Sequence, residues 1–461
     1  MNQPINSSVD RANQPIPVKK QIIYALTEFG SNPVYTTITL SFLTFFYTDV
    51  LGINAGAVGV IILISKLFDG ISDILAGNII DHTHTKKGSA RPWVLRSAIP
   101  LAVSTFLLFT VPNCGDIGKL VYIFVTYNFS VTVSFTLFNG SINALPVFMT
   151  NDTKSRSSAL AVRLFLAAAI QTLLSSSFMN IIGALGGGQS AWVKFAFVIS
   201  ILTFVGTLIP YFFLEEAPIS NQKAKENVPL LTAINSLLHN KYWIYVLLAA
   251  FFCVFHQVAT LTFGVYYAKY ILHDQYLAGN LILYHHLPAL VVMFILPFLL
   301  QKGHSTRNIS LLGGCMMMLG GIISLLSTEH LILAISIGFK GAGFGLLSSC
   351  LNGMLADTVD YGEWKTGVRC MAVTTCANTM GQKLGTGIGT ALFGLALSMT
   401  GYDGLAEVQP ATAISCINFM YTILPIIVYA AVIFLLINYR LDKELPQIQA
   451  DLAKRHRDTE M

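Results

Sequence analysis

The chain is 461 residues long, 54% hydrophobic and 11% charged, with a formal net charge of +5. A soluble globular chain carries about 25% charged residues, so this composition excludes a water-facing enzyme and fits a lipid-embedded helical bundle with its charges at the ends and inside. The slight positive balance suits the positive-inside rule and gives no grip for nucleic acid.

Residues 1–20 are polar, contain Pro4, Pro15 and Pro17 and end in Lys19 and Lys20. Without an apolar h-region or cleavage site they read as a cytoplasmic tail. An apolar helix of about 20 residues spans a bilayer. Runs of that kind lie near 22–48, 56–80, 97–112, 119–148, 159–183 and 192–214, then near 241–270, 278–300, 309–327, 331–355, 370–398 and 411–438. The expected fold is all-α and integral to the membrane, with twelve transmembrane helices. The longest polar interruption, 215–240, divides them into a six-helix half over 21–214 and another over 241–439, followed by a tail over 440–461. Paired halves about a central cytoplasmic loop suit a transporter whose substrate site lies between them near the midplane.

Positive charge tests the count. Lys86, Lys87, Arg91, Arg96, Lys154, Arg156, Lys223, Lys225, Lys302, Arg307, Lys365, Arg369 and Arg440 fall in alternate loops, whereas the opposite loops hold Lys119, Lys194 and Lys269 at helix ends. Both termini are therefore expected in the cytoplasm. The seven cysteines lack CxxC or metal-ligand spacing and read as small core residues. His82 and His84 have no third ligand in view, so no metal site follows from them.

A charge at the centre of a spanning helix costs about 2.5–3.5 kcal/mol on insertion scales, so each one kept there needs a partner or a purpose. In LISKLFDGISDILAGN, Lys66, Asp69 and Asp73 follow one another at i+3 and i+4 and share one helical face. Two carboxylates one turn apart repel when ionised; a bound monovalent cation, a shared proton or Lys66 itself offsets that repulsion. A coupling-ion site has this make-up, and so does an internally neutralised cluster that ties helices together. Glu28 and Asn32 lie one turn apart in TEFGSNPVYTT, where glycine and proline suggest irregular backbone lining a cavity. Thr136, Asn139 and Asn143 recur at helical spacing, Arg163 lies in the fifth span, and Lys383 sits among small residues in GQKLGTGIGTALFG. Such groups, with Tyr35, Tyr127, Phe138 and Phe165 as ring faces, suit an alcohol-rich ligand. His256, His285 and His286 read as hydrogen-bonded structural histidines or, alternatively, as proton carriers. No GxSxG, GxxxxGK[ST] or HExxH is present, which argues against a membrane enzyme or an ATP-driven pump. No cofactor is expected beyond a coupling ion.

MLADTVDYGEWKTGVR at Met354–Arg369, FFYTDVLG at Phe45–Gly52, the FDxxxD face of Asp69 and Asp73, RPW at Arg91 and the stretch from Asn139 through Met149, Thr150 and Asp152 together resemble the glycoside-pentoside-hexuronide cation symporter family of the major facilitator superfamily, over nearly the whole chain. The resemblance implies that Asp69 and Asp73 are cation-site carboxylates joined by Thr136. It further implies that Asn32, Asn139 and Arg163 contact sugar, and that Lys383 lies near both sites. The chain departs from the family pattern in three ways. Asn139-Gly140-Ser141-Ile142 stands where an Asn-Ile-Pro-Tyr turn is common, Asn at 32 and 139 removes the carboxylate pair of galactoside carriers, and Ser72 replaces an Asn associated with sodium use. The coupling ion is open between H+ and Na+, and a sodium ion at Asp69 and Asp73 is the one metal considered.

The expected function is cation-coupled symport of a sugar, glycoside, pentoside or hexuronide by alternating access. The expected protein is a monomer in the lipid of a bacterial inner or plasma membrane. Uniport or exchange is the alternative, and a membrane-embedded enzyme or sensor a more distant one. Asp357, Asp360, Glu363 and Arg369, with Lys365, read as a cytoplasmic gate that pairs across the halves. Symport requires ion and sugar to stabilise each other's bound state by about 1–3 kcal/mol, and Lys383 is expected to carry that coupling. Lys383→Gln should therefore reduce the effect of cation on sugar affinity more than it reduces sugar affinity itself. Sugar binding to purified protein with and without saturating cation measures this, and an unchanged enhancement in the variant would make Lys383 merely structural.

Overall fold

No water is available in a bilayer core to satisfy backbone N–H and C=O groups, so a spanning segment must pair them internally or within a closed barrel. The computed structural model describes residues 14–31, 35–83, 85, 87–150, 152–216 and 230–460, and every regular element among them is helical. Eight of these helices are long and apolar enough, by length and composition, to cross a membrane. The chain groups into two compact units, Met1–Lys223 with Thr390–Pro410, and Ala224–Gly389 with Ala411–Met461.

The first unit begins with α1 (Val18–Leu26) and a 3-10 turn over Thr27–Phe29. The first span breaks at Gly30, where a Cβ would stand 2.7 Å from the Thr203 carbonyl oxygen. Glycine is what lets this corner meet the sixth span. A π-helical stretch, α2 (Leu43–Phe45) and a second π-stretch over Phe46–Val50 lead to α3 (Ala55–Asp81), which Asn54 caps by accepting the Ala57 N–H at 3.1 Å. Then follow α4 (Arg91–Leu107), α5 (Gly115–Tyr127), a π-stretch over Asn128–Phe135, α6 (Thr136–Met149), α7 (Thr153–Ala184) and α8 (Gln189–Phe213). Hydroxyls reaching five residues back mark the π-stretch before α6: Ser134 Oγ bonds the Phe129 carbonyl at 2.8 Å and Thr136 Oγ1 the Val131 carbonyl at 3.2 Å. Asp152 caps α7 through the Ser155 N–H at 3.0 Å, a bond that holds its carboxyl below the usual carboxylate range. Trp192 fills the core among Phe46, Phe109 and Phe178, with ring centroids 5.2–6.0 Å away. In the same unit Tyr402 donates to Asp49 Oδ2 at 2.6 Å and Asn54 to Ser398 Oγ at 3.0 Å, tying the 390–410 stretch to the corner before α3.

The second unit contains α9 (Leu230–Leu238), α10 (Lys241–Val258), a π-stretch over Ala259–Phe263, α11 (Gly264–Tyr270), α12 (Leu277–Gln301), α13 (Thr306–Ile323), α14 (His330–Thr366), α15 (Met371–Met399, whose end from Thr390 belongs to the first unit), α16 (Ala411–Asn418), α17 (Leu424–Asn438) and α18 (Leu441–Glu460). Its core includes Tyr242, which meets Tyr361 and Tyr439 edge-on at 4.9 and 5.5 Å.

Three helices run well beyond their sequence-derived limits, and α7 does so by starting at Thr153 behind its Asp152 cap where the fifth span is expected from 159. The tenth span is expected at 331–355 with a charged loop beyond it, yet α14 continues to Thr366 and ends only at Gly367, whose φ of 73° makes the left-handed cap. The third span is expected from 97, yet α4 starts at Arg91 because the Glu216 carboxylate supplies acceptors for its first amides. Glu216 accepts from Ser89, Ala90 and Arg91 N–H at 2.7, 2.9 and 2.7 Å, and the Arg91 guanidinium binds the Tyr211 carbonyl at 2.9 and 2.6 Å. Loss of a helix cap costs about 1 kcal/mol. Glu216→Ala should destabilise the protein by about that much or somewhat more, read as a lower midpoint of thermal unfolding in detergent; an unchanged midpoint would remove Glu216 from the account of α4.

Candidate functional site

The i+3, i+4 spacing on α3 produces the face anticipated for it, but the two carboxylates have different surroundings. Asp69 is 4% exposed, whereas Asp73 is exposed. Lys66, itself buried, holds Asp69 Oδ2 at 3.3 Å, and Thr136 at the start of α6 donates to Asp69 Oδ1 at 3.1 Å. Ser72 Oγ bonds the Asp69 carbonyl at 3.0 Å and reaches Thr136 Oγ1 at 3.5 Å. Tyr127 and Asp73 also interact electrostatically with Lys66. The π-stretch before α6 places the Thr136 hydroxyl here while it still bonds the Val131 carbonyl.

A second buried cluster joins α1, α6 and α7. Arg163 forms an ion pair through Nε with Glu28, and its Nη1 donates to Tyr24 OH at 3.0 Å and Asn143 Oδ1 at 2.6 Å. Tyr24 in turn donates to the Ile142 carbonyl at 3.0 Å and lies under the guanidinium at 5.3 Å. Glu28 Oε2 is buried without a hydrogen bond, and Asn143 is exposed. Sequence reasoning noted Glu28, Asn143 and Arg163 separately and did not pair them. The available signal was charge arithmetic, since a buried Glu in one span calls for a cation in another. Asn139, one turn after Thr136, is half-buried, and Tyr35 stacks flat on Phe135 at 4.0 Å. Asn32 lies outside the described residues.

In the second unit Lys383 is half-buried on α15. The charged segment at the end of α14 pairs within its unit: Arg369 meets Asp360 at 3.2 Å and Glu363 at 2.5 Å, Gln449 donates to Asp360 at 3.3 Å, and Lys365 to the His239 carbonyl at 3.0 Å. Asp357 is half-buried on the same helix. His256 Nε2 and His285 Nε2 lie at hydrogen-bond distance, 3.0 Å apart, and Tyr429 OH lies 2.7 Å from His256 Nδ1. Lys340 escaped sequence reasoning because one lysine in FKGAGFG is easily lost within a long apolar run. It is buried, bonds Ser324 Oγ at 3.3 Å and stands over the Tyr421 ring at 5.4 Å.

Comparison with known proteins places this geometry in context. Residues 23–443 match the model of a family described as MFS/sugar transport protein. The isoprimeverose transporter of Lactiplantibacillus pentosus is 32% identical over 96% of this chain and 92% of its own length. The putative glycoside/cation symporter YagG of Escherichia coli K12 is 28% identical over 95% of both chains. Among solved structures, a bacterial homologue of the human drug peptide transporters PepT1 and PepT2 superposes with a TM-score of 0.66 at 13% identity, over 94% of this chain and 99% of its own. A bacterial homologue of the lysosomal transporter Spinster, in an inward-facing and unoccupied conformation, gives 0.64 at 12% identity over 97% and 99%. At such identities the structural likeness speaks for the fold.

Removing one member of a buried ion pair costs about 3–5 kcal/mol, because the other charge is left unpaired, whereas removing both costs far less. Arg163→Ala should therefore lower the unfolding midpoint strongly, and adding Glu28→Gln should recover much of the loss. Thermal unfolding of the single and double variants tests this. Additive losses in the double variant would show that the two side chains are not a coupled pair.

Proposed function

This chain belongs to the MFS/sugar transport family, and from that premise we propose that it is a secondary active symporter coupling a monovalent cation, proton or sodium, to uptake of a sugar or glycoside. The observation that carries this reading is a buried, hydrogen-bonded carboxylate, Asp69, on a helix of the same unit as the Arg163 cluster. An intramembrane acid that costs several kcal/mol to insert is kept where charge has to move or be balanced during transport. The names of the two relatives, an isoprimeverose transporter and a putative glycoside/cation symporter, support the substrate class and the coupling. Isoprimeverose is the first substrate to try.

In this proposal Asp69, Asp73 and Thr136 form the cation side of the site. Arg163, Asn139 and Asn32 form the sugar side. Guanidinium and amide groups hydrogen-bond adjacent hydroxyls in pairs, and the buried Glu28 Oε2 is an acceptor available to a ligand hydroxyl. Lys383 answers to ligand occupancy. Asp357, Asp360, Glu363 and Arg369 act as the cytoplasmic gate, with charge pairs that form and break as the carrier alternates. The termini are cytoplasmic, the membrane is the bacterial inner or plasma membrane, and the carrier works as a monomer. One observation favours exchange or uniport as a second reading: Lys66 already balances Asp69 from within the chain.

Asp69→Asn and Asp73→Asn separate the two. Under symport each variant should lose gradient-driven accumulation of isoprimeverose in vesicles while retaining part of its counterflow exchange. Accumulation at the wild-type level in both variants would leave the carboxylates without a coupling role.

A further inference from the structure

Three hydroxyls beside the break in the first span and on α8 converge without meeting. Ser31 Oγ, Tyr35 OH and Thr203 Oγ1 are buried and make no hydrogen bond among the described residues. All three residues line one small cavity of the first unit, whose other described walls are Gly30, Ile38, Leu101, Thr105 and Leu108. Neighbouring hydroxyls do find carbonyls. On α8, Ser200 and Thr207 turn back to Ala196 and Phe204 at 2.7 and 2.8 Å; on α4, Thr105 turns back to Leu101 at 2.7 Å; and Tyr47 donates to the Leu108 carbonyl at 3.1 Å. Thr203 makes no such turn. The corner at Gly30 explains how the three come together. With a hydrogen at position 30 the chain passes against the Thr203 carbonyl, and it then carries Ser31 and, one turn on, Tyr35, whose N–H bonds the Ser31 carbonyl at 3.0 Å. The Tyr35 ring is held flat against Phe135.

A buried hydroxyl without a partner has lost its hydration for no return, and native cores keep few of them. The cavity leaves about 10 Å3 in which the centre of a water molecule can lie. One water needs about 10–15 Å3 by that measure. Water carries two donors and two acceptor lone pairs, and each hydroxyl can donate or accept. One water can therefore donate to two of the three hydroxyls and accept from the third, and about three bonds is what a buried water commonly makes. A metal cation fits worse, because none of the described lining residues is charged and its charge would be buried unbalanced. An apolar occupant would leave all three hydroxyls as they are.

We propose that this cavity is a binding site for one structural water, held by Ser31, Tyr35 and Thr203, that pins the broken first span to α8. The water supplies at the break the cross-link that side chains of this size cannot make directly. It also anchors the tyrosine whose hydroxyl faces Asp69 and Tyr127. The corner beside Glu28 and the polar face of α3 then have one fixed side chain in common.

Thermal unfolding of the purified full-length protein in detergent gives opposite signs for a wet and a dry cavity. In a dry one, Thr203→Val keeps the shape and deletes an orphaned hydroxyl, so the midpoint rises, and Tyr35→Phe acts alike. With the water bound, each variant should lower the midpoint by about 2 °C. Thr203 and Tyr35 share no direct bond, so coupling between them has to pass through the water. The double variant should lose less than the sum of the singles, because the first loss already loosens the water. A midpoint that rises or stays unchanged in either single variant would overturn the proposal, and so would strictly additive losses. X-ray radiolysis read by mass spectrometry tests wild type without any substitution, since radicals formed from a bound water oxidise the side chains that touch it. Leu101 and Leu108, each 1% exposed, should be oxidised well above the fully buried Leu145, and Thr203→Val should reduce the excess. Oxidation of Leu101 and Leu108 no greater than that of Leu145 would remove the water from this site.

Discussion

A charge placed inside this protein needs a counter-charge or close polar and aromatic partners, because neither lipid nor a packed helical core can solvate it. That constraint organises the first unit. Asp69 lies next to Lys66 and Glu28 next to Arg163, and in each case the remaining polar valences go to hydroxyls and amides of other helices: Thr136 for Asp69, Tyr24 and Asn143 for Arg163. The pairs differ in reach. Lys66 and Asp69 belong to one helix and need no tertiary structure to meet, whereas Glu28 and Arg163 come together only when the first and fifth spans pack. The first is a local device that persists through rigid-body motion of α3. The second ties two elements of the same unit and keeps that unit whole.

Local charge patterns were therefore legible in the sequence and distant ones were not. The Lys66, Asp69, Asp73 face followed from helical spacing, and α3 bears out that spacing over 27 residues. What spacing could not say is that Asp69 is buried and Asp73 exposed, since both lie on one stripe and the packing of α6 decides which of them is covered. Glu28 with Arg163, and His256 with His285 and Tyr429, join residues more than twenty positions apart; no periodicity within one segment contains them. Apolar runs gave the helices themselves. Their ends were harder, because the start of α4 depends on Glu216, 125 residues after Arg91, and the end of α14 on a single left-handed glycine beyond a charged segment that reads as loop.

Two of the backbone irregularities in the first unit adjoin its polar clusters. The first span is broken at Gly30 between Glu28 and Tyr35, and the fourth is π-helical until the residue that binds Asp69. A π-turn widens the helix, rotates the following side chains and frees carbonyls that hydroxyl groups then satisfy. In NFSVTVSFT, Ser134 and Thr136 bond the carbonyls five residues back at 2.8 and 3.2 Å. A straight α-helix through the same residues would turn Thr136 by a fraction of a turn away from Asp69.

The local pair on α3 also fixes the charge balance of its helical face. Lys66 stands one turn from Asp69 on the same helix and neutralises that carboxylate, while Asp73 leaves the shared face with a net negative charge. The lysine brings in the charge that a buried Asp69 would otherwise have to draw from solution. An ion that must diffuse in is present in proportion to its concentration, whereas a tethered ammonium 3.3 Å from Asp69 is present at every concentration. Asp73, exposed on the same stripe, is the more accessible of the two carboxylates, and its charge is the part of this face that Lys66 leaves unbalanced.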